Sequence, residues 1–295
     1  MHSAISTESG KLGSVNRSSA LRSAVKWLPL FPVILVLTVF FVGPVALNLA
    51  QSLMPKGAAG LSAISYQQML SDPYILKVGL YTLLLATGTT ITCLVVGYPF
   101  AYGLARSHGN TKVILIFVLI APLLVNVVVR SYGWMVVMGS GGLMDSMARS
   151  VGLPSVNLMY SWTAVLIALV HVTLPFMVLS IAGTLESLDL NVEAAAAVLG
   201  ASPLRVLFSI TVPMSIEGII TGSIIVFTLA MGSFVTVMLL GDNSTMVLPL
   251  LVYQRLTTID DWPGAATLGI SLFVLVMALL GLQAGLRRAL GRGAS

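Results

Sequence analysis

The chain has 295 residues, of which 57% are hydrophobic and only 8% are charged, and its formal net charge at pH 7 is +5. A soluble domain usually has about 25% charged residues, so too few polar side chains remain here to cover a surface in water. This composition excludes an ordinary soluble protein. The basic residues are divided among tails and short loops, which argues against a surface that binds nucleic acid.

Six apolar runs follow one another along the chain, and each is long enough to cross a membrane as a helix, which takes about 20 residues. The alternating pattern of a membrane β-barrel is absent. The runs cover residues 28–51, 77–104, 113–138, 161–183, 214–240 and 264–286. The sequence therefore predicts an all-α integral membrane protein with a six-helix domain over 28–286 and tails over 1–27 and 287–295. The first run is a full span in length, so we expect it to be an uncleaved helix.

Charged residues beside these runs predict the orientation of the helices, because short loops rich in Lys and Arg stay in the cytoplasm. With six spans, both tails and the loops after the second and fourth runs lie on one side. Ten of the fifteen basic residues are on that side: Lys11, Arg17, Arg22, Lys26, Arg106, Lys112, Arg205, Arg287, Arg288 and Arg292. The loop after the fifth run is acidic, with Asp242, Asp260 and Asp261. Both termini are therefore expected in the cytoplasm.

The segment over residues 189–213, between the fourth and fifth runs, is too polar and too short to span a membrane. Asp189 or Asn191 can cap a helix start, and Glu193 then lies in the first turn, where a negative charge suits the helix dipole. Four alanines follow, and Gly200 is placed to end this helix in a left-handed conformation.

A second short helix is predicted over about 203–210, because Ser202 is a suitable cap and Pro203 suits the first helical position. We expect Val206, Leu207 and Phe208 to be exposed on it. Such exposure is costly unless these side chains pack against another protein. Pro213 is expected to open the fifth span. The sequence thus predicts a helix-bend-helix docking element.

This segment resembles the cytoplasmic loop of permease subunits of bacterial binding-protein-dependent ABC importers. The family pattern is Glu-Ala-Ala, three residues, Gly, nine residues, then Ile-x-Leu-Pro. Gly200 and Ile210 match its spacing, and Pro213 closes it after a valine in place of leucine. Counting back from Gly200, the family glutamate falls at Ala194, and Glu193 lies one residue earlier.

In this family the loop docks on a separate ATPase subunit and couples nucleotide state to the membrane helices. The resemblance implies that role for Glu193, Ala194, Gly200, Ser202, Pro203, Arg205, Leu207, Phe208, Ile210 and Pro213. It also implies the type I importer permease fold, a cytoplasmic ATPase dimer that binds ATP and Mg, a second homologous permease and a periplasmic binding protein. The expected location is the bacterial inner membrane. This chain is then a transporter subunit without catalytic residues, metal or cofactor of its own.

Two longer segments, residues 127–153 and 227–269, resemble the spermidine/putrescine permease group, and with the six-run layout the resemblance covers about residues 30–285. It implies transport of a polyamine or a related amine. The same branch includes permeases for iron, thiamine, opines and aminophosphonates, which remain alternatives.

Several polar and aromatic residues are candidates for a substrate path, since the fifth span lines the path in this family. Aromatic side chains near a membrane surface also form interfacial belts, and hydroxyl side chains also join helices. An acidic external loop also follows from topology alone. Ser233 and Thr236 are expected to share a helix face. The candidates are Arg130, Tyr132, Trp134, Ser223, Ser233, Thr236 and Asp242.

Other classes of protein require motifs that the sequence does not contain. There is no G-x-x-x-x-G-K-[ST] phosphate loop, so ATP must bind to another chain. A secondary transporter coupled to ions remains an alternative, although the runs contain no carboxylate pair or His relay. An intramembrane enzyme would need a polar constellation that is absent. His171, the one histidine within a run, is expected to be packed and hydrogen-bonded rather than catalytic.

Overall fold

The computed structural model describes residues 31–54, 60, 62–152, 154–155 and 157–291, and the regular elements of these residues are all helices. The predicted tail over 1–27 lies outside them, as do residues 292–295 of the C-terminal tail. The α-helices are α1 (Phe31–Leu37), α2 (Gly43–Ser52), α3 (Ile64–Ser71), α4 (Pro73–Ala105), α5 (Gly109–Leu124), α6 (Val127–Met138), α7 (Leu143–Ser150), α8 (Trp162–Glu186), α9 (Leu190–Val198), α10 (Pro203–Val206), α11 (Val212–Met214), α12 (Ile216–Met231), α13 (Val235–Leu240), α14 (Leu248–Thr257) and α15 (Trp262–Gly291). Wider π-helical turns, Thr38–Val42 and Leu207–Thr211, connect α1 to α2 and α10 to α11, and a short 3₁₀ turn covers Asn243–Thr245.

The described residues contain four helices that are long and apolar enough to cross a membrane, or six if two bent pairs each count as one span. The four are Pro32–Ser52, Pro73–Ala105, Trp162–Glu186 and Trp262–Gln283. The pairs are Gly109–Leu124 with Val127–Ser150, bent by 99°, and Pro203–Met214 with Ile216–Met231, bent by 67°. The all-helical prediction is confirmed for this part of the chain. The third and fifth apolar runs are not straight single helices, however.

The break in the third apolar run has a local cause that the hydropathy of the run does not indicate. Val125 and Asn126 have extended backbones between α5 and α6. The Asn126 side chain accepts a hydrogen bond from the Val128 N–H at 2.8 Å, so it caps the start of α6. An N-cap residue inside an apolar run ends one helix and begins another.

The centre of the molecule is formed by α4, α8 and α12, which pack against one another. Small residues allow this close approach. A Cβ atom added to Gly218 would lie 2.7 Å from the Ser180 carbonyl oxygen, and one added to Gly222 would lie 3.2 Å from the Met177 Cα. The backbones of α8 and α12 are therefore almost in contact.

Apolar side chains fill this bundle at both of its ends. We call the end that carries residues 189–213 the loop end and the other the far end. At the loop end, Leu104 of α4 packs with Ile181 and Leu185 of α8. At the far end, α14 joins the core, and its first N–H, from Leu248, donates to the Thr82 hydroxyl at 2.9 Å.

The helices over residues 31–52 contact the bundle mainly through α2. The α2 segment packs against α15, and the Thr267 hydroxyl donates to the Ser52 carbonyl at 3.3 Å. Every side chain over residues 32–42 is exposed, including Phe40 at 76% and Phe41 at 68%. This chain alone does not cover that apolar surface.

Candidate functional site

The segment over residues 189–213, which we call the coupling segment, begins with the capped helix α9. The Asp189 carboxylate accepts a hydrogen bond from the Asn191 N–H at 2.9 Å, and Glu193 lies in the first turn. At the other end Gly200 has a φ of +87°. The Gly200 N–H donates to Ala197 and the Ala201 N–H donates to Ala196, which is the pair of bonds that ends helices with a left-handed glycine. The predicted conformation of Gly200 is confirmed.

The second helix starts where the sequence predicts but continues further. Ser202 occupies the cap position without a side-chain hydrogen bond, and Pro203 is the first helical residue. The helical path continues from α10 through the turn Leu207–Thr211 into α11 and ends at Met214. Pro213 therefore closes this helix, and α12 begins only at Ile216, after the 67° bend.

The apolar surface of the coupling segment differs from the predicted one. Val206 and Leu207 are half-buried, and they line a cavity of about 470 Å³ between this segment and α4. Phe208 is exposed, as predicted, at 67%, and the other exposed apolar side chains lie around the bend: Val198 at 87%, Leu199 at 88% and Leu204 at 68%. Among the other candidates, Ala194, Arg205 and Pro213 are exposed, and Ile210 is half-buried.

Glu193 makes contacts that sequence reasoning missed. Its Oε1 accepts hydrogen bonds from the Arg106 guanidinium at 2.6 Å and from the Thr211 hydroxyl at 3.0 Å. Arg106 follows directly after α4, and the two ion-paired side chains are only 23% and 18% exposed. A second ion pair, Lys112 with Glu186 at 2.9 Å, is more open to solvent. The first pair joins the residue after α4 to the coupling segment, and the second joins the start of α5 to the end of α8.

Arg130 fills the break between α5 and α6. Its guanidinium donates to the Pro122 carbonyl at 2.7 Å and to the Val125 carbonyl at 3.2 Å. These carbonyls lie at the C-terminal end of α5, where the helix leaves them without intrahelical partners and where a positive charge is favoured. Arg130 therefore holds the break between α5 and α6 together, independently of its candidate role in a substrate path.

The two aromatic candidates of α6 have different surroundings. Tyr132 is 55% exposed. Trp134 is half-buried and lies edge-on against the ring of His171, with 5.3 Å between ring centroids. His171 is packed, as predicted, but its Nδ1 makes no hydrogen bond to the described residues.

The candidates of the fifth run do not share one helix face. Ser223 is half-buried on α12, whereas Ser233 lies in a second break between α12 and α13, and Thr236 of α13 is buried. The expected common face of Ser233 and Thr236 is therefore wrong. The helix ends at Met231 and the next begins only at Val235, a break that the hydropathy of the continuous apolar run does not predict.

The aspartates of the far end are engaged in local structure. Asp242 accepts hydrogen bonds from the Ser244 hydroxyl at 2.6 Å and from backbone N–H groups of the short 3₁₀ turn, and the Ser244 bond lowers the pKa of the Asp242 carboxyl. Asp261 pairs with Arg255 at 3.0 Å and accepts from the Gly264 N–H. Asp260 accepts from the Trp262 indole at 2.7 Å. The part of the chain that the structure describes contains no group of three His, Cys, Asp or Glu residues placed to hold a metal ion.

In the described residues, a bundle of apolar helices with broken spans carries a pair of short helices at one end, which is the architecture of a multi-pass membrane protein. Comparisons with known proteins agree. Residues 16–292 match the family described as "Binding-protein-dependent transport system inner membrane component". The chain belongs to this family and is a multi-pass protein of the inner membrane.

Relatives of known name support this assignment. The chain is 34% identical over 218 residues to the spermidine/putrescine transport system permease protein PotB of Escherichia coli strain K12, covering 73% of this chain and 78% of PotB. It is 32% identical over 209 residues to the molybdenum transport system permease protein ModB of Mycobacterium bovis, covering 70% and 77% of the two chains. A chain from the crystal structure of a bacterial alginate ABC transporter, in complex with an alginate-bound periplasmic protein, has the same fold, with a TM-score of 0.78 at 14% identity over 92% of this chain and 96% of that one.

Proposed function

We propose that this protein is a membrane-spanning permease subunit of an ATP-driven ABC importer that carries a polyamine or a related small amine. The observation that supports the function most directly is the coupling segment. Its two short helices meet at a left-handed glycine, and they present apolar side chains that this chain leaves uncovered. Exposed apolar surface of this kind is typical of a protein interface.

The partner at this surface is a cytoplasmic ATPase dimer that binds ATP and Mg. We assign the loop end to the cytoplasm, because in the sequence most basic residues belong to the tails and to the loops after the second and fourth apolar runs. Each bent pair then counts as one span, which gives six spans with both termini in the cytoplasm. The coupling role falls to the bend around Gly200 and its flanking residues, from Glu193 to Pro213.

A second, homologous permease completes the path. The apolar surface over residues 32–42 supports such a pairing, since it is exposed in the single chain. A periplasmic binding protein delivers the solute at the far end, in line with the complex of the alginate transporter with an alginate-bound periplasmic protein. The path residues proposed are Arg130, Tyr132, Trp134, Ser223, Ser233, Thr236 and Asp242. They are few and scattered, which suits a low-affinity path whose selectivity comes from the binding protein.

The choice of solute follows from the relatives at 32–34% identity, of which the PotB proteins are transporters of spermidine and putrescine by name. The similarity to ModB supports a second candidate, a permease of the same branch for another solute. Other systems of this branch are the iron, thiamine, opine and aminophosphonate systems named above. Both candidates share the architecture and differ only in the solute delivered.

The test is purification of the tagged chain from its native membrane in mild detergent, with identification of co-purifying proteins and an assay of ATP hydrolysis. An ATPase chain, a second permease and hydrolysis stimulated by a periplasmic binding protein are expected. The ligand of that binding protein then identifies the solute. A chain that purifies alone and transports solute in proteoliposomes without ATP would instead establish a secondary transporter.

A further inference from the structure

One carboxylate oxygen links helix α9 of the coupling segment to the end of α4 and to the helix before the bend. Glu193 Oε1 lies 2.6 Å from Arg106 Nη2 and 3.0 Å from Thr211 Oγ1. These three residues come from different segments: the first turn of α9, the residue after α4, and the helix that precedes the bend at Ser215. A displacement of α9 therefore acts directly on two other helices.

Arg106 extends a row of side chains along α4. Tyr98, Tyr102 and Arg106 are spaced by four residues, so they lie on the same face of this helix. The Arg106 guanidinium lies 5.3 Å from the centre of the Tyr102 ring, in the arrangement of a cation–π contact. The Tyr98 hydroxyl is 3.0 Å from the Ser215 hydroxyl. This row, which we call the α4 row, thus faces both the coupling segment and the bend.

The bend at the start of α12 is held by contacts just before it and within it. Thr211 precedes the bend and is 1% exposed, and Ser215 lies in it and is fully buried. Thr211 is connected to the α4 row through Glu193, whereas Ser215 bonds to it directly. Because both contacts lead to the same row on α4, a change in the angle of this bend is coupled to the position of α4.

We propose that Arg106 is a positioning residue that transmits motion of the coupling segment to α4 and to the bend before α12. The inference rests on the proposed function, because that motion is attributed to the ATPase. When the Arg106–Glu193 contact is removed, ATP hydrolysis continues but drives less transport. The contact is suited to this role because it is more buried than the Lys112–Glu186 pair, and exposed ion pairs contribute little.

The experiment uses the complete importer in proteoliposomes, with binding protein and solute outside and ATP inside. Solute transported and ATP hydrolysed are measured for Arg106→Gln, Glu193→Gln and the charge exchange R106E/E193R. Thr211→Val is a milder variant that removes one hydrogen bond while keeping the side-chain shape. The matched control is Glu217→Gln, which neutralises an exposed glutamate at the start of α12.

The quantity that decides is the ratio of solute transported to ATP hydrolysed. We expect this ratio to fall about fivefold or more in Arg106→Gln and Glu193→Gln, the lower range of measured coupling between sites. It should recover by at least half in the charge exchange and stay unchanged in Glu217→Gln. Thr211→Val should lower it by a smaller factor.

Two results would overturn the inference. A ratio within twofold of the wild type in both neutralising variants would mean that the contact transmits nothing. A proportional loss of transport and hydrolysis, with less assembled complex, would mean that Arg106 only stabilises the fold. Should Arg106→Gln fail to assemble, Thr211→Val decides by the same ratio. If the proposed function itself is wrong, the wild-type complex will show no ATP-dependent transport, and this outcome differs from both results above.

Discussion

Gly200 joins the two helices of the coupling segment in a backbone conformation that is unfavourable for other residues. Its φ of +87° lies in the left-handed region, and no atom comes within 4 Å of the position of a Cβ at this site. The requirement for glycine therefore comes from the backbone and not from lack of space. Asn enters this region more readily than other residues with a side chain.

We expect Gly200→Val to displace the bend, because the left-handed conformation costs a side-chain-bearing residue about 1–2 kcal/mol. Less ATPase subunit should co-purify, and stimulation of hydrolysis by the binding protein should fall several-fold. Gly200→Asn is the matched control, since it adds a side chain that tolerates this conformation. Equal losses in the two variants would show that the exposed surface, rather than the backbone angle, matters here.

Individual residues of the coupling segment could be predicted where the rule is local. A helix cap, a left-handed glycine and a proline at the first helical position each depend on a few neighbouring residues. The structure contains these features at Asp189, Gly200 and Pro203, as predicted. The partner of Glu193 could not be predicted, because Arg106 lies 87 positions earlier in the chain. Only the packing of α9 beside the end of α4 brings the two charges together.

At the scale of the helices, apolar runs predict where spans lie but not where they break. Asn126 and the segment after Gly232 interrupt their runs without a marked change of hydropathy. The packing of α12 against α8 is also hidden in the sequence. Many glycines lie in the spans, yet few of them are in backbone contact with another helix.

Gly218 is one of these contact glycines, and we expect Gly218→Ala to destabilise the bundle. A methyl group there would lie 2.7 Å from the Ser180 carbonyl oxygen and 3.0 Å from the Ile181 Cα. The helices must move apart, which costs about 1–3 kcal/mol. The measurement is the midpoint of thermal unfolding in detergent. Gly269→Ala on α15 is the control, because no atom lies within 4 Å of that position. A midpoint unchanged in both variants would contradict this packing.

At the scale of the whole molecule, the helices over residues 31–52 leave an apolar face that requires a cover. Composition predicted the membrane class, and the resemblance of the coupling segment predicted the family, which the comparison over residues 16–292 confirmed. Neither the composition nor the resemblance predicts whether lipid or a second permease covers this face, because both favour the same apolar side chains.

We expect the double substitution of Phe40 and Phe41 by Ala to reduce the amount of second permease that co-purifies with this chain. Both rings are largely exposed in the single chain, and a well-packed aromatic side chain contributes far more to a protein interface than to contact with fluid lipid. Substitution of both by Leu is the control, because it keeps most of the apolar volume. Unchanged recovery of the second permease in the Ala variant would indicate that lipid covers this face.

The break after α5 has a consequence for the surrounding lipid. This helix has 16 residues, which gives a length of about 24 Å, whereas the hydrocarbon core of a bilayer is about 30 Å thick. With the chain turning by 99° after it, the bilayer beside α5 must become thinner or the helix beyond the turn must lie below the headgroups. Fractions of a kcal/mol per Å of mismatch accompany either adjustment. Where the bilayer thins beside α5, transport should be fastest in membranes with short acyl chains and slow down as the chains lengthen, which transport in proteoliposomes of graded acyl-chain length measures.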